Sequence, residues 1–467
     1  MPDDSIVRVE QHLYEKRQKI YPREVHGLFA RLRIAAALTL LGLYYGLPWL
    51  QWADRQAILF DLPARKFHIL GLTFWPQDFI YLTLLLILAA LSLFFFTTLA
   101  GRLWCGYACP QTVWTETFLW IERMVEGSRT QQLRLDKQPR SRKTLSRKIT
   151  KHTLWIVFAL WTGFTFVGYF TPIRELFTAA LAWNISGWAL FWILFYSFAT
   201  YGNAGWMREQ VCLYMCPYAR FQSAMFDKNT LIISYDPIRG EPREKGRKRG
   251  DRSGDCVDCT LCVQACPTGI DIRDGLQYEC IGCAACIDAC DEVMDKIGRR
   301  KGLISYTTQN ALAGIPTRVL RPRVLAYALV LLSLASGLLW SISQRTLIEV
   351  DVIRDRNTLY REHDNGTISN SYTLKILNKT ESPQQIELGV KGLEDLILVT
   401  DSNQISEIVP IALEPGSVTE LSVQVTTHYT NLSTTSNNIM FHITAHSETD
   451  LNTATEARFL GPKQSPD

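Results

Sequence analysis

Histidine is scarce in this chain, eight among 467 residues. Only His152 falls at the edge of an apolar run, so a haem b held by two histidines inside a bilayer is excluded. No G-x-G-x-x-G follows a strand-like stretch and no G-x-x-x-x-G-K-[ST] occurs. Nicotinamide binding or ATP hydrolysis by those phosphate-cradling devices is therefore not expected. Residues 1 to 33 are polar and basic, with no apolar core before a small-residue cleavage site, so no signal peptide is expected. Cysteine is missing after residue 290, so the C-terminal part needs no oxidative folding. The net charge of +4 is small, but it is unevenly placed.

What is present is cysteine in four tight groups, twelve in all. Two groups are Cys256-Val-Asp-Cys259-Thr-Leu-Cys262-Val-Gln-Ala-Cys266 and Cys280-Ile-Gly-Cys283-Ala-Ala-Cys286-Ile-Asp-Ala-Cys290. Each reads C-x2-C-x2-C-x3-C, the spacing that wraps thiolates around a [4Fe-4S] cube, with the fourth cysteine reaching across to the other cube. This assigns Cys256, Cys259, Cys262 and Cys290 to one cluster. Cys280, Cys283, Cys286 and Cys266 take the other. Cys266 is followed by proline and Cys290 by Asp291, a departure from the repeat. Clustered cysteines at metal spacing point to a reducing compartment, not a disulfide scaffold.

Five stretches approach the length of about 20 apolar residues that crosses a bilayer. They are 34–50, 79–100, 153–170, 183–200 and 324–340, with tryptophan and tyrosine at their ends as interfacial anchors. Lysine and arginine number seven in residues 1–33, three in 51–77, eleven in 101–151, one in 172–182 and eighteen in 204–323. By the positive-inside rule the N-terminus and the loops 101–151 and 204–323 are cytoplasmic, and the C-terminal tail is outside. The expected order is a cytoplasmic segment 1–33, a four-span region 34–203, a cytoplasmic region 204–323 with the ferredoxin part at about 250–295, a fifth span 324–343, and an outer domain 344–467. Arg239–Gly254 is basic and glycine-rich without interleaved aromatics. It reads as a linker near anionic lipid headgroups, not as a nucleic-acid site.

The other two cysteine groups are Cys105-Gly-Tyr107-Ala-Cys109-Pro110 and Cys212-Leu-Tyr214-Met-Cys216-Pro217. Both read C-x-Y-x-C-P and both follow an even-numbered span on its cytoplasmic side, an internal repeat. On a helix, cysteines at i and i+4 share a face. Two such hairpins side by side would offer four soft sulfurs, the donors that select Cu(I), Zn or an Fe–S cluster. Cys105, Cys109, Cys212 and Cys216 are thus a candidate copper or redox site. Met207 and Met215 are nearby soft donors more readily explained by packing.

From about residue 345 the pattern turns to period two: Tyr372, Leu374, Ile376; Ile386, Leu388, Val390; Leu421, Val423, Val425; Ile439, Phe441, Ile443. Asp364-Asn-Gly and Glu414-Pro-Gly separate such runs, which predicts an antiparallel β-sandwich. Nine Lys and Arg against seventeen Asp and Glu in residues 344–467 fit a solvated outer domain, not nucleic-acid binding. His442 and His446 lie about 13 Å apart on a strand at roughly 3.3 Å per residue, too far to chelate one metal, and read as solvated surface.

Together the paired C-x3-C-P motifs, the two ferredoxin runs, five spans and a C-terminal β domain resemble the CcoG (FixG, RdxA) accessory proteins of cbb-type cytochrome oxidase. The stretch Ala64-Arg-Lys-Phe-His-Ile-Leu-Gly-Leu-Thr-Phe-Trp-Pro-Gln-Asp78 is similar to that family as well. The resemblance implies an inner-membrane polyferredoxin with two [4Fe-4S] clusters and an immunoglobulin-like C-terminal domain. It also implies reduction of Cu(II) to Cu(I) for maturation of a cbb3-type oxidase, with copper chaperones or transporters and oxidase assembly factors as partners. A cytoplasmic electron donor and membrane lipid complete the expected partners, and homodimerisation is left open. Two further readings stay open: a quinol-linked carrier serving a respiratory reductase, and a redox-sensing scaffold.

Overall fold

The computed structural model describes residues 19–53, 55–139, 141–244, 254–380, 382–400, 405–406, 408–445 and 452–462. The expected linker is thus described only at its ends, and His446 lies outside the described residues. The chain divides into two units, one within 1–71 and 79–335, the other within 72–78 and 336–467.

The principal helices are α1 (Leu28–Gly46), α2 (Phe79–Ala100), α3 (Pro110–Glu126), α4 (Arg142–Val167), α5 (Gly187–Thr200), α6 (Pro217–Met225), α7 (Ala285–Lys296) and α8 (Pro322–Ser343). Among the described residues, three helical stretches are long and apolar enough to cross a membrane: Leu28–Trp49, Pro76–Ala100 and Pro322–Ser343. They contain the second and fifth expected spans and all of the first except Leu50. The third expected span lies in α4 up to Val167, three residues short of its expected end, and the N-terminal half of α4 carries Arg142, Lys143, Arg147, Lys148 and Lys151. The fourth starts later than expected, because Ser186 caps α5 by accepting from the Ala189 N–H. Only 14 residues long, α5 continues as a π-helical turn, Tyr201–Met207. α4 and α5 approach closely at Gly163, where a Cβ would lie 2.4 Å from Ser197 Oγ.

A buried charge cluster ties α3 and α4 to the segment after α5. Glu122, 1% exposed, meets Lys19 at 3.0 Å, Lys151 at 3.3 Å and Arg208 at 2.7 Å. Glu126 meets Lys148 at 3.0 Å and Lys151 at 2.9 Å. Burial alone would push the Glu122 carboxyl up, but Arg208, Lys19 and Lys151 outweigh it and hold its pKa at about 2.

The ferredoxin part extends beyond the expected 250–295. Strands Ile232–Tyr235 and Ile304–Thr307 pair antiparallel, and Ile233, Tyr235 and Ile304 share a core with Cys256, Cys262 and Cys286.

In the second unit two antiparallel sheets enclose one core. The first has the order Ile405–Ser406, Ile397–Thr400, Val418–His428, Thr367–Asn378, Ile348–Arg354. The second runs Ile408–Leu413, Gln384–Lys391, Ser436–Ala445, Asn452–Leu460. Leu374, Ile376, Leu388 and Val425 are fully buried, as the period-two pattern requires. The expectation for His442 needs correcting. It is half-buried over Gly389, where a Cβ would meet its ring at 2.5 Å.

A carboxylate held below its unfolded pKa stabilises the fold above that unfolded value, and the gain is lost as pH falls through the folded value. The Glu122 contribution is complete above about 4.5 and disappears toward pH 2. Glu122→Gln should cost about 3–5 kcal/mol near neutrality by leaving buried cations unpaired. The gap from wild type should close below pH 4, read by thermal unfolding in detergent. A gap that does not change with pH would contradict this account.

Candidate metal centres

The two ferredoxin runs fold alike. Asp258 and Thr260 in the first, Gly282 and Ala284 in the second, all have positive φ, between 46° and 69°. They occupy the same offsets from the first cysteine of each run. This left-handed backbone forms the nest of N–H groups that suits an anionic cluster. Thr260 and Ala284 then start the helix Leu261–Ala265 and α7.

Cys256, Cys259, Cys262 and Cys290 line one internal cavity of about 20 Å³, closed by Tyr235, Arg273 and Met294. Cys266, Cys280, Cys283 and Cys286 line another of about 20 Å³, which Cys262 also touches. The structure thus brings together the two crossed sets that the spacing assigns. Burial pushes the thiols up, Cys262 to about 11 and Cys283 and Cys290 to about 12. Arg273 opposes this at Cys262 and is itself fixed by Asp258 at 2.6 Å and by Asp271. Such thiols stay protonated until a cationic iron core draws them into ligation. Sulfurs that are at least partly buried except at the exposed Cys259, an N–H nest and the crossed pairing all fit two cubes.

Around the C-x3-C-P motifs the structure corrects the single-face expectation. Cys105 sits in the short helix Leu103–Tyr107, but Cys109 is the extended cap before α3, at φ −61° and ψ 128°. Cys212 lies in the π-helical turn Val211–Met215, and Cys216 caps α6 at φ −79° and ψ 110°. Proline at the next position biases the preceding residue away from helix, so both motifs break at their second cysteine. The two motifs nevertheless lie near each other, because Gln222 on α6, the helix that Cys216 caps, accepts from the Cys105 thiol at 3.5 Å. Burial pushes Cys105 to about 11 and Cys212 to about 12. Cys109 is also pushed up by burial, with the Gln111 and Thr112 backbone N–H groups pulling it back. Met215 is 59% exposed, which does not fit the packing role expected for it. Among the described residues, no three His, Cys, Asp or Glu side chains are grouped so as to hold a single metal ion.

This quartet is docked on the second ferredoxin run. A Cβ at Gly106 would lie 2.8 Å from Gly282 O and 2.9 Å from Cys283 Cα, so the two backbones touch. Arg102 donates to the carbonyls of Tyr278 and Cys280, and to Ala219 O on α6 at 2.6 Å. Arg33 donates to Cys283 O. Asp288, between Cys286 and Cys290, caps α1 by accepting from Phe29 N at 3.2 Å and Ala30 N at 2.6 Å.

Comparison with known proteins agrees with this layout. Residues 207–309 match a 4Fe-4S dicluster domain, residues 82–126 a 4Fe-4S binding domain, and residues 338–462 the IG-like fold at the C-terminal of FixG. Nitrogen fixation protein FixG of Rhizobium meliloti (strain 1021) is 40% identical, over 90% of this chain and 89% of its own. The chain belongs to the FixG/CcoG/RdxA family. Protein RdxB of Cereibacter sphaeroides is 41% identical over 83% of this chain and 84% of its own, and Protein RdxA of the same organism 38% over 82% and 84%. As a family member with this architecture, the chain is an iron–sulfur electron-transfer protein.

For this FixG-type chain, a cavity of about 520 Å³ lies beside both sulfur sets, reaching Cys212 at one wall and Cys283 at another. Arg208 lines it in a left-handed conformation, φ 48°, with its buried Nη1 unpartnered. Asp288, Arg102, Arg33 and Arg208 carry no local sequence signal, since their partners lie far along the chain. Gly106 does carry one: the repeat has Leu213 at the equivalent position.

Replacing Gly106 by valine should force the backbones apart and destabilise the first unit by about 1–3 kcal/mol, as overpacking does. The iron of the eight-cysteine part should stay. Hydrogen exchange over residues 278–284 should rise. Unchanged exchange there would show that the contact is not tight.

Proposed function

We propose that this protein is a membrane-bound electron carrier that reduces Cu(II) to Cu(I) to supply the copper centre of a cbb3-type oxidase. The observation that carries this reading is the contact of Gly106 with Gly282 and Cys283, which puts the C-x3-C-P quartet directly against the ferredoxin part. When bound, [4Fe-4S] cubes supply one-electron storage. The chain's residues do the rest. Cys256, Cys259, Cys262, Cys290 and Cys266, Cys280, Cys283, Cys286 would hold the cubes. Arg102, Arg33 and Asp288 fix that part to α1 and α6. Gly106 removes the side chain that would separate the quartet from Cys283. Copper enters as substrate, and each Cu(II) takes one electron delivered through the quartet.

In this proposal five spans cross the inner membrane, with the N-terminus and ferredoxin part cytoplasmic and residues 344–467 periplasmic. The lysine and arginine asymmetry supports it. A reporter fused after Asp467 should work only if it functions in the periplasm, and cytoplasmic reporter activity would overturn the topology.

One observation favours a second reading, a quinol-linked carrier. The cavity of about 520 Å³ touches Cys212 and Cys283 and mixes apolar walls, such as Ile34 and Trp120, with the buried guanidinium of Arg208. A quinol headgroup needs such an amphipathic site.

Anaerobically purified protein, reduced and supplied with Cu(II), should release Cu(I) to a cuprous chelator in proportion to the electrons stored. Cys259→Ser and Cys283→Ser should each cut this at least roughly tenfold. Wild-type protein that reduces no Cu(II), yet is reduced by a quinol, would shift the conclusion to the second reading.

A further inference from the structure

The match to a 4Fe-4S binding domain over residues 82–126 covers two cysteines only, Cys105 and Cys109. Two thiolates cannot hold a cube, which takes four. The structure brings the missing pair alongside: Gln222, on the helix that Cys216 caps, accepts from the Cys105 thiol at 3.5 Å, and Gln111, two residues after Cys109, donates to the carbonyl of Arg208 at 3.1 Å, four residues before Cys212. From these observations we infer that Cys105, Cys109, Cys212 and Cys216 jointly hold a third iron–sulfur cluster of the [4Fe-4S] type, and that copper is not held by these thiols.

Spacing is the first argument. One ion in a tetrahedral thiolate site, at about 2.3 Å per bond, draws its sulfurs to within about 3.8 Å of one another. Among the described residues the quartet forms no such single-ion group, and neither do the eight ferredoxin cysteines.

Polar surroundings give the second. Cys109 and Cys216 both stand at the start of a helix with proline at its first position. Two helix N-termini therefore face one sulfur site, and their partial positive charge favours a cluster with net negative charge. Gln222 on α6 is completely buried. It accepts from the Cys105 thiol through Oε1 at 3.5 Å, while its Nε2 has no partner. A neutral thiol explains the first contact and leaves the amide donor facing only the Tyr218 hydroxyl, outside normal hydrogen-bond geometry. With Cys105 ionised as a ligand, a half-turn of the amide puts Nε2–H on sulfur, the kind of hydrogen bond that tunes Fe–S centres. Arg102, a buried cation, also favours the Cys105 thiolate.

This inference rests on the reading of the chain as an electron carrier, but it is tested by counting metal. Full-length protein purified anaerobically should carry about twelve irons and matching sulfide, where two cubes alone would give about eight. The double variant Cys109→Ser, Cys216→Ser should lose about four irons and one set of EPR signals while the other two sets persist. Gln222→Leu should keep the iron but shift the reduction potential of that one set. About eight irons in wild type, with Cu(I) titrating stoichiometrically onto the quartet, would overturn the inference whether or not the protein reduces Cu(II). A double variant that fails to fold would lose all the signals. In that case Gln222→Leu decides: a potential shift confined to a third signal set supports the inference, and the absence of any third set in wild type or variant overturns it.

Discussion

Everything proposed for this protein depends on a backbone contact, Gly106 against Gly282 and Cys283. Any Cβ at Gly106 would push the C-x3-C-P segment off the ferredoxin part. The contact is short-range and makes no hydrogen bond of its own, so it cannot orient the two parts by itself. Charged groups do that. Arg102 spends its donors on the carbonyls around Cys280 and on α6, and Asp288 caps α1 from within the second cysteine run. A carboxylate on helix N–H groups and a guanidinium on carbonyls are charge-assisted bonds, stronger than neutral ones and specific in direction. They hold the second cysteine run in one register against α1 and α6.

The same logic extends to the buried cluster around Glu122. It joins α3, which Cys109 caps, to Arg208, which precedes Cys212. Gln111 adds to this by donating to the carbonyls of Asn203 and Arg208, at 2.9 and 3.1 Å. Each C-x3-C-P motif is therefore positioned by polar contacts to the other's neighbourhood, so the repeat acts as a pair. The strained backbone at Arg208, φ 48°, sits at the joint between the two π-helical turns.

Much of this was legible in the sequence for a physical reason. Ferredoxin ligation is local: three ligands fall within seven residues, and the spacing itself encodes the wrap. The sandwich was legible because period two exposes or buries whole faces, as at Tyr372, Leu374 and Ile376. The face of the C-x3-C-P motifs was misread, since a helical repeat was assumed through a residue that precedes proline. The docking residues were hidden. Asp288 and Phe29 are 259 positions apart, and Arg102 and Cys280 178 apart. Nothing local in an aspartate between two cysteines marks it as the cap of a distant helix.

The most direct measurement follows the reoxidation of the ferredoxin absorbance by Cu(II) in a single turnover, comparing wild type with a protein in which the quartet alone is disabled. If the quartet docked on Cys283 is the exit for electrons, wild type should reoxidise rapidly with one Cu(I) formed per electron. The altered protein, with its eight-cysteine iron intact, should then be slower by at least about tenfold, a loss of roughly 1.4 kcal/mol or more in barrier terms. Equal rates in the two proteins would contradict the account.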